Sequence, residues 1–355
     1  MKQLKRYLCL ILVFALILSM TAAFADEPEA KELTMLTYNV AGLPSIDGII
    51  GQQGVNVPEH QKFIGKELNA AGYDVIAVQE DFGYHCYLSG GLKDYRYKTA
   101  HSGSIPGGDG MNVFSKYPIY NVKRTTWDKA YGVINDGADE LTPKGILYTL
   151  IDLGDGIYVD FYDIHADAFG DDGSREARDD NFRQLADMIL SRSTDRAVIV
   201  TGDFNTSSHL SDGGALNEQL IYRAGLRDAW TELYNNGNYE DHSSYIEKYG
   251  WSQAGYWGVW DSVEKFLYKD GGGVHVELND FSYVNFVLND KSASDHRAAY
   301  ASFSFTKTDD TSSAPGRFCV PFANPFGVAF NSFLTAIFDL QKIFAHFDDL
   351  LALLG

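Results

Sequence analysis

The sequence predicts an α/β protein in which two mixed β-sheets pack face to face and are flanked by helices, four layers in all. Three observations predict it. Strand-like and helix-like segments alternate from residue 33 to residue 306, and strands interspersed with helices favour sheets covered by helices. Two short runs, DVIAVQ at 74–79 and AVIVT at 197–201, are apolar enough to be strands buried on both faces. The connection Gly154-Asp155-Gly156 has the length and composition of a hairpin turn, so antiparallel pairs must stand beside parallel ones.

Taken in order, residues 33–40 read as the first strand. Pro58 then opens a helix that carries Phe63, Ile64, Leu68 and Ala71 on one face, proline being suited to a helix's first turn. The run 74–79 is the next strand. Residues 145–153 and 157–166 form the two arms of the hairpin. The helix at 175–192 sets Phe182, Leu185, Ala186 and Ile189 at i, i+3, i+4 and i+7, an apolar stripe that needs a sheet to cover it. The strand at 197–201 runs out into Gly202-Asp203. No internal repeat occurs.

Both ends differ in character from this 33–306 domain. Residues 1–25 begin with Lys2, Lys5 and Arg6, continue with an apolar run over 8–18, and end on Ala23-Phe24-Ala25. That is the pattern of a cleaved export signal, too short for a lasting membrane span, and it makes the mature chain a secreted one. A connecting segment at 307–318 contains DDTSSAPG, a linker composition. Beyond it, 319–355 places apolar residues at helical spacing from 330 to 354, interrupted by Asp339, Lys342, His346, Asp348 and Asp349. This reads as an amphipathic helical segment and not as a membrane span.

With 48 acidic against 29 basic residues the formal charge is −19, and loss of the leader's cations makes the mature chain more acidic still. Such a surface repels nucleic-acid backbones, whose binding rests on Lys and Arg. A local basic patch or a bound divalent ion could still offset the field. Of three cysteines, Cys9 leaves with the leader. Cys86 and Cys319 permit one disulfide or two free thiols.

Five short segments set polar residues at the ends of apolar strands: Thr37-Tyr38-Asn39-Val40, Val78-Gln79-Glu80-Asp81, Asp163-Ile164-His165-Ala166-Asp167, Gly202-Asp203-Phe204-Asn205 and Ser294-Asp295-His296. Strand ends are where rigid scaffolds present chemistry. Each segment also has a structural reading: a strand-end carboxylate, a turn asparagine, a core histidine, an Asx-turn, a surface pair. Five together supply what metal-assisted hydrolysis of a phosphate ester requires. Mg²⁺, or Mn²⁺ in its place, takes oxygen ligands and few protein carboxylates. Glu80 is the expected main ligand, with Asn39 and Asp295 close by. His296 titrates in the range a general base needs, while His165 and Asn205 suit hydrogen bonds to non-bridging oxygens.

TYNV, VQED, DIHADA, GDFN and SDH occur in the order and at roughly the spacings of the endonuclease/exonuclease/phosphatase superfamily, and the chain resembles that family over about 33–305. The resemblance implies its DNase- and sphingomyelinase-like four-layer sandwich. It also implies a metal site at Asn39 and Glu80, a phosphate-contacting His165, a catalytic Asp203-x-Asn205 and a closing Asp295-His296 pair. The family's aspartate that orients the final histidine is replaced here by Glu264, with Asp261 as the other acid nearby. The proline that often follows the Asp-His pair is absent, since Arg297 stands there.

The stretch Asp109-Gly110-Met111-Asn112-Val113-Phe114-Ser115-Lys116-Tyr117-Pro118-Ile119 and the segment Lys144-Gly145-Ile146-Leu147-Tyr148 are similar to sphingomyelinase-like members of the family. They also read as strands with tight turns. The likeness favours a phospholipid headgroup over nucleic acid as the phosphate-ester partner, with peripheral membrane contact through 329–354 as an accompanying expectation. The aromatic run at 251–260 reads as a packed cluster or a substrate-facing loop. An extracellular endonuclease and an inactive lipid- or cell-binding module are the competing readings.

Overall fold

A computed structural model of the chain describes residues 30–43, 55–104, 108–132, 139, 142–207, 213–239 and 261–308. The expected export signal at 1–25, the segment 309–355 and the aromatic run at 251–260 lie outside the described residues. So does Cys319, while Cys86 is a free, partly buried thiol.

Two six-stranded sheets form the centre. The first contains β1 (Lys31–Asn39), β2 (Val75–Gln79), β3 (Tyr97–Lys98), β4 (Asn112–Ser115), β11 (Val274–Val284) and β14 (Ala298–Lys307), in the order β11-β14-β1-β2-β4-β3. The second contains β5 (Ile119–Thr126), β6 (Gly145–Gly154), β7 (Ile157–His165), β8 (Ala197–Asp203), β9 (Arg227–Asp228) and β10 (Glu264–Lys269), in the order β5-β6-β7-β8-β10-β9. Both are mixed: β1 runs parallel to β2 and β7 parallel to β8, while the flanking pairs are antiparallel. A short hairpin of β12 (Val287–Leu288) and β13 (Lys291–Ser292) lies apart from them.

The apolar side chains sort into three layers of contact. Leu33, Met35, Ile151, Phe161, Ile199, Phe266 and Phe303 fill the space between the sheets. Helix α1 (Val57–Ala71) and the short α2 (His85–Ser89) cover the outer face of the first sheet, where Ile64, Leu68 and Leu88 meet Leu36, Ile76 and Val78. Helix α3 (Asp172–Arg192) covers the second sheet with Phe182, Leu185, Ala186 and Ile189, all fully buried. Its start is set by Asp171, whose carboxylate accepts from the backbone N–H groups of Gly173 and Ser174, satisfying donors that a helix leaves open. The four-layer expectation is met.

Two details differ from the sequence reading. Ala71 is exposed, because the buried stripe of α1 runs through Val57, Gln61, Ile64, Gly65 and Leu68. The globular region also begins earlier and ends later than 33–306, since β1 starts at Lys31 and pairs with Phe305 of β14, whose last residue is Lys307.

Strand direction decides where the chemistry collects. Parallel pairing aligns Asn39 with Gln79 and His165 with Asp203. The antiparallel strand β10 starts where β8 ends, with Glu264 opposite Asp203. Residues far apart in sequence thus meet at one end of the sandwich.

Candidate active site

Asp203, at the end of β8, is the hub of this end. Its Oδ1 accepts the backbone N–H of Asn205 at 2.9 Å, an Asx-turn that sharply ends the strand. Its Oδ2 accepts the Asn39 amide at 3.0 Å and lies 3.5 Å from His165 Nε2 and 3.8 Å from His296 Nδ1. The turn reading and the catalytic reading of Asp203 are served by different oxygens.

Glu80 follows β2 in a left-handed conformation, φ +57°, a costly backbone state for a side chain of this kind. Its carbonyl accepts the N–H of Gly42 and of Phe82, each at 3.0 Å, and its Oε1 accepts the Asn39 amide at 3.0 Å. Asn39 therefore turns its amide nitrogen to both Glu80 and Asp203, while its Oδ1 accepts the N–H of Ala41. In this arrangement Asn39 orients the two carboxylates. Asp295 is exposed beside them, and its charge is felt at Glu80 and His296.

His296 Nδ1 is hydrogen-bonded to Glu264, whose other oxygen accepts Ser262 Oγ at 2.7 Å. Glu264 thus reaches the final histidine despite its extra methylene, and Asp261 instead pairs with the buried Lys265. Ser294 braces the histidine's backbone: its Oγ accepts the His296 N–H at 3.1 Å and donates to the Asn39 carbonyl at 2.8 Å. His165 is 1% exposed and leaves its Nδ1 buried without a partner. Asn205 is partly exposed and donates to the Ala166 carbonyl at 2.9 Å.

Electrostatics divides the two histidines. Burial disfavours a charge on His296, but Asp203, Glu264 and Asp295 outweigh it and hold the imidazole protonated well above its ordinary range. Burial, with Lys144 and His296 nearby, keeps His165 neutral, well below that range. Burial also pushes the carboxyls of Glu80 and Asp203 up, with His296 offsetting only part of the cost. The Glu264 carboxyl, though also desolvated, is held down by the His296 charge and hydrogen bond.

Lys144 was not among the expected site residues. It is 8% exposed just before β6, pairs with Asp139, and its charge reaches Glu80, Asp203 and His165. Its segment was noticed as a strand start, yet nothing local shows that β6 delivers it here. Ser294 stood in the Ser-Asp-His segment without a role and Ser262 in none, both being common residues whose role is set only by position.

Among the described residues, two clusters bring three metal-ligating side chains within 4.8 Å: Asp203 with Glu264 and His296, and Asp81 with His85 and His101. In the first, the ring nitrogen nearest the acids is already hydrogen-bonded to Glu264. In the second, His85 Nδ1 and Asn112 both bond Asp81 Oδ2, and His101 bonds the Asp81 carbonyl and the Gly103 N–H. That knot secures the turn after Glu80. A hard divalent ion fits best at Glu80, whose carboxyl burial pushes up even with the His296 and Lys144 charges nearby, and beside which the Asp295 carboxylate is exposed.

A model described as the Endonuclease/Exonuclease/phosphatase family matches residues 36–296. Sphingomyelinases of Mycobacterium bovis and Mycobacterium tuberculosis are 31% identical over 287 residues, covering 77% of this chain and 53% of theirs. The chain therefore spans about half the length of the curated relatives it matches. A Staphylococcus aureus beta toxin variant with bound magnesium ions superposes with a TM-score of 0.51 at 17% identity, covering 76% of this chain and 99% of that one. TDP2 of D. rerio, complexed with a single-strand DNA product, gives 0.53 at 14%, covering 77% and 99%. At such identities the likeness to these structures concerns the fold.

Proposed function

Because the chain belongs to the endonuclease/exonuclease/phosphatase family, we propose that it is an exported, divalent-metal-dependent phosphodiesterase that cleaves a phospholipid headgroup ester. The observation that carries the chemistry is the His296 imidazole, fixed by Glu264, facing the Asp203 carboxylate and within electrostatic reach of Glu80. The hydrogen bond at Nδ1 sets the tautomer and leaves Nε2 as the atom that takes a proton from attacking water once the resting proton is released. Glu264 then stabilises the imidazolium that forms. Asp203 keeps that charge in place, and Asn39 keeps Asp203 and Glu80 in register. The second N–H of the Asn205 amide faces away from its bond to Ala166 and suits a non-bridging phosphoryl oxygen. Mg²⁺, or Mn²⁺ in its place, held by Glu80 with Asp295 beside it, would offset charge on the phosphoryl group.

The choice of substrate rests on the relatives named sphingomyelinase and on the chain's acidity, which suits a zwitterionic lipid surface better than a polyanion. The segment 329–354 belongs to the same reading, as a peripheral membrane contact. A nuclease is the competing outcome, since the fold is shared with a protein solved with a DNA product.

The test is Mg²⁺-dependent release of phosphocholine from sphingomyelin liposomes, run beside plasmid nicking on one preparation. Lipid turnover without nicking is the expected result. Nicking without lipid turnover would make the protein a nuclease, and neither activity in the presence of metal would make it a binding module. Deletion of 317–355 should lower liposome binding while turnover of a soluble phosphodiester persists.

A further inference from the structure

Helices α1 and α2 touch through glycine. A Cβ on Gly65 would lie 2.2 Å from the Leu88 carbonyl oxygen, and one on Gly91 would lie 2.4 Å from the Gly65 carbonyl carbon. No side chain can stand between the backbones here, so the chains meet closely and their outer flanks open into a cleft of about 430 Å³. Lys62 and Lys66, one turn apart on α1, line it together with Lys93, Asn69, Tyr87 and the free thiol Cys86.

The charge balance of this cleft is opposite to that of the molecule. The chain carries 48 acidic and 29 basic residues, and several lysines elsewhere pair with acids: Lys31 with Asp155, Lys116 with Asp74, Lys129 with Glu176, Lys265 with Asp228 and Asp261. Among the described residues, Lys62, Lys66 and Lys93 have no such partner, and no carboxylate lines the cleft. The adjoining Asp94 is held by Asn69, which donates to its Oδ2 at 2.9 Å and accepts its N–H at 3.0 Å. Three like charges around one concavity repel one another. An acidic chain that gathers them there, unneutralised, leaves them for an external anion.

We infer that this cleft binds a phosphate-like anion, either free or as the headgroup of an acidic lipid, through Lys62, Lys66 and Lys93. It belongs to the outer helical layer and shares no residue with the Asp203–His296 site, so it stands or falls apart from the proposed activity. Its volume lies in the range of small-ligand pockets, and the exposed Tyr87 ring gives it an apolar wall for a group attached to the anion.

Cys86 is a built-in reporter. In the full chain with Cys9 and Cys319 changed to serine, its rate with the dianionic dithiobis(nitrobenzoate) would be compared with its rate with neutral dithiodipyridine at low salt. The preference for the dianionic reagent should fall by about tenfold when all three lysines become glutamine, from loss of attraction at short range. An unchanged rate with the neutral reagent would show that this variant keeps its fold. Inorganic phosphate should protect the thiol saturably in the parent and not in the variant. Stronger protection by phosphatidylcholine vesicles containing phosphatidic acid than by phosphatidylcholine alone would assign the anion to a membrane; protection by phosphate alone would assign it to solution. A preference that survives the triple substitution, or no saturable protection by either source, would overturn the inference.

Discussion

His296 sits between acids that give it a proton and one, Glu264, that also gives it a direction. Replacing His296 by Ala should lower turnover by about 10²–10⁴-fold, the usual contribution of a positioned base, with cooperative unfolding retained. Activity near the parent's would sink the assignment. Glu264→Gln keeps an acceptor at Nδ1 but removes the charge, and should reduce kcat while KM holds; Glu264→Asp should recover part of the loss. At Glu80, substitution by Gln should shift the Mg²⁺ concentration for half-maximal activity upward, and an unmoved titration would place the ion elsewhere. Glu80 and His296 were legible in the sequence because their short polar segments flank apolar strands, whereas Glu264, at the start of β10, was legible only through the resemblance to the family. Lys144 and Ser294 were not, since their contribution is a field and a brace produced by distant strands coming together.

At the scale of elements, local pattern read well wherever burial imposed a period. The β6–β7 hairpin, β2, β8 and the stripe of α3 follow from their apolar spacing. The two-residue strands β3 and β9 carry no period to read. Strand order was also unreadable, because β1 pairs with β14 across most of the chain and no local signal encodes such a partner. The turn after β2 is where an element controls the site. Gly110 has φ +67°, and a Cβ there would lie 2.7 Å from the Phe82 ring and 3.1 Å from the Glu80 Cα. Gly110→Ala should therefore destabilise the protein by about 1–3 kcal/mol and weaken Mg²⁺ affinity with it, as thermal melts and Mg²⁺ titrations would show. A neutral outcome would mean that the turn relaxes freely and does not hold Glu80.

For the whole molecule, the site is a concentration of buried negative charge, and its cost depends on pH. Burial raises the Asp167 carboxyl to about 7 and the Asp261 carboxyl to about 6, against about 3.9 in an unfolded chain. Between those limits the folded state binds more protons than the unfolded one, so these groups make stability fall as pH rises from about 4 toward 7. Glu80 and Asp203 are shifted in the same direction. A divalent ion that binds only the folded state adds stability by mass action, about 2.7 kcal/mol at a hundredfold excess over Kd, and binds best where Glu80 is ionised. The melting temperature of metal-free protein should drop from pH 5.5 to pH 8, and Mg²⁺ should recover more of it at pH 8 than at pH 5.5. In Glu80→Gln the recovery should vanish while the metal-free slope persists, because Asp167 and Asp261 still titrate. Equal stabilisation by Mg²⁺ in parent and variant would show that the ion's binding energy enters through another part of the surface, and that the charge gathered at this end of the sandwich is balanced without it.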